Sequence, residues 1–197
     1  VLSKEPNITV RFNTAIDFFK YGLFGQVARQ FLNDRLAISL GLRTDMNSFT
    51  TDGYKPLETL SPRLSASYQL APKWRINASA GRYFKVPVYT VLGFQENNSF
   101  MNKDNRYIQS NHFVTGLEFI PTPQTRFTVE GFHKTYKNYP ISLIDGISLA
   151  NQGGNFGAIG NEAVTSTGTG RSYGIEFFFQ QKLTKNTFGV LSYTLFK

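Results

Sequence analysis

The stretch from Leu60 to Pro87, LSPRLSASYQLAPKWRINASAGRYFKVP, decides the fold. Apolar or small side chains recur at every second position on both sides of a short turn: Leu64, Ala66, Tyr68 and Leu70 before it, and Trp74, Ile76, Ala78 and Ala80 after it. A period of two sends alternate side chains to opposite faces of a β-strand, and Pro72 fixes the bend between the two runs. The stretch therefore predicts an antiparallel hairpin with one apolar and one polar face.

The same alternation extends along most of the chain. Helical spacing is sustained nowhere, so we expect an all-β protein. The pattern predicts eight strands, and a shorter run at about 8–16 is a candidate for a ninth. The eight lie at about 24–31, 36–46, 62–70, 74–84, 113–120, 126–137, 171–182 and 187–197.

The connections between these strands alternate strictly between short and long. The short ones are 32–35, 71–73, 121–125 and 183–186, and the long ones are about 47–61, 85–112 and 138–170. An antiparallel up-and-down meander with tight turns at one end and long loops at the other gives this pattern. Outer-membrane β-barrels are built in this way, so we expect part of a large transmembrane barrel.

The two faces of the predicted sheet differ in chemistry. The face with Leu36, Ile38, Leu40 and Leu42 carries no polar group and suits lipid. Charged residues of the strands would be hydrated in a barrel lumen, whereas hydrocarbon would penalise them. They would either brace the barrel through ion pairs or line a substrate path, and the lumen-facing set is predicted to include Arg43, Arg63, Arg82, Glu130 and Glu176. A soluble antiparallel sheet packed on a second sheet is the alternative.

Composition excludes several other classes. The chain has 197 residues, a net charge of +8, 17% charged and 15% aromatic residues, two histidines and no cysteine. Without cysteine there is no disulfide scaffold and no thiolate metal site, and two histidines make a multi-histidine metal site unexpected. The positive charge is not concentrated in runs, so we predict no nucleic-acid partner. No nucleophile elbow accompanies His112 or His133, so we predict no enzyme, no catalytic residue, no metal and no cofactor.

Three segments resemble the barrel of TonB-dependent outer-membrane receptors. They are Leu60 to Pro87, Leu40 to Asp45 (LGLRTD), and Asn155 to Glu176 (NFGAIGNEAVTSTGTGRSYGIE) continuing to Leu183. The resemblance covers roughly residue 22 to the end. It implies a bacterial outer-membrane protein that imports a scarce nutrient, such as an iron chelate, a vitamin or a glycan, from outside the cell. It also implies contact with outer-membrane lipid, the remainder of the receptor and the TonB complex.

The chain departs from the complete family pattern. Such barrels have about 22 strands around a filled lumen, and eight or nine strands cannot supply that number. No plug domain, TonB box or terminal aromatic residue is recognisable, so we expect residues 1–197 to form an internal piece of the barrel. Two alternatives remain: a non-transporting envelope β-protein, such as an adhesin or structural barrel, and a small complete eight-stranded barrel.

Two long loops are candidate recognition elements, because loops on rigid scaffolds often carry function. The loop at 85–112 combines aromatic planes with amide and guanidinium groups, which a polar nutrient ligand requires. Its predicted ligand-binding residues are Tyr89, Phe94, Phe100, Arg106 and Tyr107. These aromatics could instead pack on their neighbours. The loop at 138–170 is rich in glycine, at 153, 154, 157 and 160, and is either a lid or a structured surface loop.

Overall fold

The computed structural model describes residues 13–152 and 160–197, and its main feature is one antiparallel sheet of eight strands. Each strand pairs with its sequence neighbour among the long strands, which confirms the predicted meander. The strands are β1 (Lys20–Phe31), β2 (Leu36–Asn47), β3 (Ser61–Ala71), β4 (Trp74–Lys85), β7 (Ile108–Thr122), β8 (Thr125–Ser142), β9 (Val164–Thr184) and β10 (Thr187–Phe196).

The connection from β4 to β7 contains small elements of its own. They are a single helical turn, α1 (Tyr89–Leu92), and a two-stranded hairpin of β5 (Gln95–Glu96) and β6 (Ser99–Phe100). Asn97 and Asn98 form the hairpin's turn with φ of 49° and 60°, a conformation that asparagine tolerates better than most residues. No helix within residues 13–152 and 160–197 is long and apolar enough to cross a membrane.

The strand register separates an apolar face from a polar one, because directly paired residues in an antiparallel sheet lie on the same face. Ile76 pairs with Leu117, Leu117 with Val129, and Val129 with Phe177. These side chains therefore share the apolar face with Leu36, Ile38, Leu40 and Leu42. Arg43, Arg63, Glu130 and Glu176 lie together on the polar face. That this face lines a lumen stays a prediction.

An aromatic row crosses the apolar face near the short turns. The ring centroids of Trp74 and Phe119 are 4.4 Å apart, those of Phe119 and Phe127 are 6.2 Å apart, and those of Phe127 and Phe179 are 4.9 Å apart. Such cross-strand aromatic contacts stabilise neighbouring strands. Aromatic rows of this kind also flank the apolar band of membrane barrels.

The prediction that Arg82 lies with the lumen-facing residues is wrong with respect to the face of the sheet. Arg82 pairs with Asn111, and its position continues the series of Ile76, Ala78 and Ala80 on the apolar face. The polar residues of β4 occupy the odd positions instead. Arg82 lies beyond the last apolar position of the strand, where its Nε donates a hydrogen bond of 3.2 Å to Asn111 Oδ1.

The sheet is open among the described residues, with β1 at one edge and β10 at the other. The alternative of a small complete barrel requires these two strands to pair, so it is wrong for this chain. The described residues also place no second sheet against the apolar face, where Leu23 is 71% exposed and Phe113 is 57% exposed. The alternative of a soluble sheet packed on a second sheet therefore has no support.

Strands β8 and β9 extend further than the sequence predicts. The residues 138–142 and 164–170 were expected in a loop but continue the ladder between β8 and β9. Asn138 has a φ of 59° and marks a bulge, after which pairing resumes at Tyr139 and Ile141. The bulge interrupts the alternation without ending the strand, which is why the pattern gave the wrong boundary. Of the ninth candidate strand, residues 8–12 lie outside the described range and residues 13–16 form no strand.

The buried apolar core lies beneath the long loops rather than behind the sheet. Val86, Leu92 and Tyr107 form one cluster, and Val91, Leu149 and Val164 form another. Both clusters contain residues of the segment between β4 and β7. That segment is therefore a packed structure that caps the long-loop end of the sheet.

Candidate ligand-binding site

A cavity of about 710 Å³ opens between the polar face and the segment 86–107. Its wall brings together residues from β1, β2, β3, β4 and the capping segment. Four cationic side chains, one carboxylate and four phenol rings dominate the polar chemistry of this wall: Lys20, Arg43, Arg63, Lys85, Asp45, Tyr21, Tyr83, Tyr89 and Tyr107.

Carboxylate neutralises only part of this positive charge. Arg43 forms a bidentate ion pair with Asp45, at 2.7 Å from Nε and 2.6 Å from Nη2. Lys20 instead donates a hydrogen bond of 3.2 Å to the hydroxyl of Tyr89. Arg63 places its guanidinium 4.6 Å from the centre of the Tyr83 ring. Among the described residues neither Lys20 nor Arg63 has a carboxylate partner, so the cavity has an excess of positive charge.

Tyr83 contacts a guanidinium group and an imidazole ring. Arg63 contacts one side of its ring, and the His112 ring lies 4.7 Å from it by centroid distance. A Cβ on Gly81 would lie 2.9 Å from atoms of the Tyr83 ring. The absence of a side chain at position 81 therefore gives the ring of Tyr83 its place against the sheet.

The predicted loop residues divide between the cavity and the loop's own packing. Tyr89 and Tyr107 line the cavity, whereas Phe94, Phe100 and Arg106 are not among its described lining residues. Tyr89 is 53% exposed. Its ring contacts Phe18 at a centroid distance of 5.7 Å, which leaves much of its surface accessible to a ligand.

Tyr107 has a structural role in addition to its position in the cavity wall. It is 8% exposed, and its hydroxyl accepts a hydrogen bond of 2.9 Å from Asn47 Nδ2. Burial raises the pKa of this phenol above its ordinary value. A side chain so enclosed holds the loop to β2 and offers little contact surface of its own.

The other predicted loop residues lie elsewhere. Phe100 makes an edge contact with Phe49, with centroids 5.0 Å apart, and Lys103 lies 5.5 Å over the Phe100 ring. Phe94 is half-buried, and its carbonyl accepts a hydrogen bond of 3.1 Å from the Met101 amide. Arg106 lines a separate cavity of about 210 Å³ together with Asp52 and Glu58. The ligand-binding roles of these residues stay predictions.

Asn102 fixes the capping segment to the start of β9. Its side chain is 1% exposed, and Nδ2 donates to the carbonyls of Val91 at 2.7 Å and Glu162 at 2.8 Å. Oδ1 accepts a hydrogen bond of 3.0 Å from the Val164 amide. One buried side-chain amide thus joins α1 to the connection between β8 and β9. That connection therefore helps to position the segment 86–107, which covers the cavity. Gly153, Gly154 and Gly157 of the glycine-rich stretch lie outside the described residues.

Glu130 and Glu176 lie away from this cavity, nearer the short turns. They are direct cross-strand neighbours and line a cavity of about 180 Å³ with Arg126 and Thr128. The buried Glu118 has two ion pairs, with Arg126 at 2.5 Å and Arg75 at 3.6 Å. This part of the polar face therefore contains the ion pairs that brace neighbouring strands. No group of three or more His, Asp or Glu that could hold a metal ion occurs in the described ranges.

The sequence interpretation missed Lys20, Tyr83 and Lys85 as cavity residues. The phase of β4 could have identified two of them, because Arg75, Asn77 and Ser79 establish that odd positions face the polar side. Lys20 had no comparable signal, since the start of β1 lies four residues before the predicted strand. Its place in the cavity depends on the pairing of β1 with β2.

Comparison with known proteins identifies the architecture. A family model described as "TonB dependent receptor-like, beta-barrel" matches residues 3–197. Curated protein sequences give no match. Several solved structures match the fold, and each of the three matches described next covers 91% of this chain.

The siderophore receptor PirA from Pseudomonas aeruginosa is similar at a TM-score of 0.64 and 18% identity, over 32% of its own chain. The FrpB iron transporter from Neisseria meningitidis has a TM-score of 0.63 and 13% identity, over 25% of its chain. The ferric-catecholate import receptor Fiu from E. coli K12 has a TM-score of 0.62 and 12% identity, over 28% of its chain. These identities show the fold, and the present chain spans about a quarter to a third of each structure. The chain belongs to the TonB-dependent receptor β-barrel family, and its meander is a segment of such a barrel.

Proposed function

We propose that this chain contributes part of the barrel of a bacterial outer-membrane receptor that imports an anionic iron chelate with energy from the TonB complex. The polar face then lines the lumen, with Arg43, Arg63, Glu130 and Glu176 in contact with water or with the rest of the receptor. The apolar face contacts outer-membrane lipid, and the long loops face outward. No catalytic step is proposed.

The observation that carries this proposal is the cationic and aromatic cavity under the segment 86–107. A neutral glycan or vitamin gains little from unpaired cations, whereas a metal chelate with carboxylate or catecholate oxygens gains charge-assisted hydrogen bonds from Lys20 and Arg63. The exposed ring of Tyr89 and the ring of Tyr83 add planar apolar surface for an aromatic chelating group. Two of the similar structures, a siderophore receptor and a ferric-catecholate import receptor, support the same ligand class.

The test uses the full-length receptor expressed in cells that lack other iron-chelate receptors. Lys20→Gln and Arg63→Gln are made singly and together, and uptake of radiolabelled ferric tris-catecholate is compared with that of cationic ferrioxamine B and of neutral cobalamin. We expect the concentration for half-maximal ferric-catecholate uptake to rise roughly fivefold for each charge removed. This factor corresponds to about 1 kcal/mol, the upper end of the free energies of accessible ion pairs. Lys185→Gln in a short turn removes the same charge and should leave uptake unchanged.

Surface abundance of each variant is quantified in parallel. Uptake of ferric tris-catecholate that is equal in the wild-type receptor and the double variant would contradict the assignment of the cavity. If a receptor at normal abundance imports none of the three probes, the proposal that it imports ligands of this set is wrong. A non-transporting adhesin or structural barrel then becomes the better hypothesis.

A further inference from the structure

The apolar face contains a depression with a floor of small side chains. It has a volume of about 630 Å³ and lies between β3 and β9. Ala66, Ala78, Ala80 and Gly131 form its floor, and Leu64, Phe113, Tyr173 and Ile175 stand around it. Small side chains at Ala66, Ala78, Ala80 and Gly131 with larger ones around them make this depression an apolar groove on the face of the sheet.

Cations lie just beyond the long-loop end of this groove. Residues that pair directly across neighbouring strands form a row, or rung, on one face of the sheet. The rung that follows Phe113, His133 and Tyr173 on the apolar face consists of Arg82, Asn111, Thr135 and Arg171, which pair in that order across β4, β7, β8 and β9. Arg82 and Arg171 are exposed on the apolar face. Three strand spacings separate them, or about 15 Å. Lys137 lies one rung further on β8, between them. None of the three has an ion pair within the described part of the chain.

This rung falls where a bilayer surface would lie. Along β7, eight residues separate Phe119 of the aromatic row from Asn111, the partner of Arg82. That is about 27 Å of strand, or roughly 20 Å of height at a strand tilt of about 40°, and the apolar band of a membrane barrel is about 25 Å tall. Arg82 and Arg171 are therefore at the edge of the band rather than in its middle. An arginine there costs little, whereas one at the centre would be strongly unfavourable.

We propose that this groove and rung form a binding site for one phosphorylated lipid of the outward-facing leaflet. The phosphate groups contact Arg82, Arg171 and Lys137, and an acyl chain lies along the Ala66, Ala78 and Gly131 floor. The inference rests on the membrane placement given under the proposed function, but not on the identity of the imported nutrient. Charge complementarity identifies the occupant. An apolar groove alone accepts any acyl chain, whereas guanidinium groups that have no carboxylate partner among the described residues select phosphate.

The experiment uses the full-length receptor purified in a neutral detergent and mixed with diphosphoryl lipid A, dephosphorylated lipid A or inorganic phosphate. Native mass spectrometry measures the retained lipid, and titration gives its apparent affinity. The wild-type receptor is expected to retain one tightly bound diphosphoryl lipid A. Arg82→Gln/Arg171→Gln should weaken it by about fivefold for each cation removed, and Ala78→Leu should weaken it by filling the groove.

The matched control is Lys73→Gln/Lys185→Gln, which removes two charges at the short-turn end and should change nothing. A heat-modifiable band shift on gels verifies that each variant is folded. Equal retention by Arg82→Gln/Arg171→Gln and wild type overturns the site, as does equal affinity for dephosphorylated lipid A. Binding of inorganic phosphate with similar affinity would also overturn it, because the acyl chain would then contribute nothing. Chelate uptake in cells is a separate readout, so failure of the imported-ligand assignment leaves this result interpretable.

Discussion

Asn102 Oδ1 accepts a hydrogen bond from the backbone amide of Val164 at 3.0 Å, across 62 residues of sequence. With the two bonds donated by its Nδ2, this side chain joins the capping segment to the first residue of β9. The long-loop end is thus a single packed unit of two loops.

Asn102→Ala should loosen both loops together. The substitution leaves the Val164 amide and two carbonyls without their partner in a buried place, at a cost of about 1 to 3 kcal/mol for an unsatisfied group. Limited proteolysis of the purified full-length receptor should therefore cut within 86–107 and within 143–152 faster than in wild type. Asn186→Ala, in an exposed short turn, is the control. Faster cutting in one loop only would show that the two loops are not joined through this residue.

Tyr107 and Tyr89 should give different phenotypes although both line the cavity. Tyr107→Ala removes a buried aromatic side chain, which costs about 3 to 5 kcal/mol, so surface abundance should fall along with uptake. Tyr107→Phe loses only the hydrogen bond from Asn47 and should cost about 1 kcal/mol. Tyr89→Ala should reduce ferric-catecholate uptake at normal abundance. Quantifying abundance and uptake for all three distinguishes packing from ligand contact, and normal abundance of Tyr107→Ala would contradict its structural role.

Gly81→Ala should act through Tyr83. The added Cβ would lie 2.9 Å from the Tyr83 ring, so the ring must shift from the position in which it contacts Arg63 and His112. Because a side chain moves rather than the backbone, we expect little loss of stability but weaker ferric-catecholate uptake, approaching that of Tyr83→Ala. Gly25→Ala is the control, since nothing lies within 4 Å of its added Cβ. If Gly81→Ala takes up the chelate as wild type does, the position of the Tyr83 ring does not matter for binding.

Alternation was sufficient to predict all eight long strands, their antiparallel order and most of their faces. It worked because the long strands carry most of their apolar side chains on one face, as in the series Ile76, Ala78 and Ala80. It failed at Asn138, where a bulge breaks the period without breaking the ladder. Charge alone is also a poor guide to the face of Arg82. Its side chain is charged, but its position in β4 is in phase with Ile76, Ala78 and Ala80 on the apolar face.

The candidate site was less predictable than the fold. Composition pointed to the aromatic loop, and Tyr89 does line the cavity. Nothing in the sequence near Tyr107 indicates that Asn47, 60 residues earlier, donates a hydrogen bond to its buried hydroxyl. The cavity's cations come from β1, β2, β3 and β4, and their assembly depends on pairing across the sheet. Strand pairing brings together residues that are distant in sequence, and the residue pattern of a single strand contains no information about which strand it pairs with.

The segment between β4 and β7 leaves and re-enters the sheet on adjacent strands, since Lys85 pairs directly with Ile108. Its two ends are therefore fixed about 5 Å apart whatever lies between them. Loop closure costs little more for a longer insert, so the hairpin from Gln95 to Phe100 can be exchanged or lengthened while Asn102 and Tyr107 keep their contacts. The sheet therefore tolerates sequence and length changes in this hairpin without any change in its own strands.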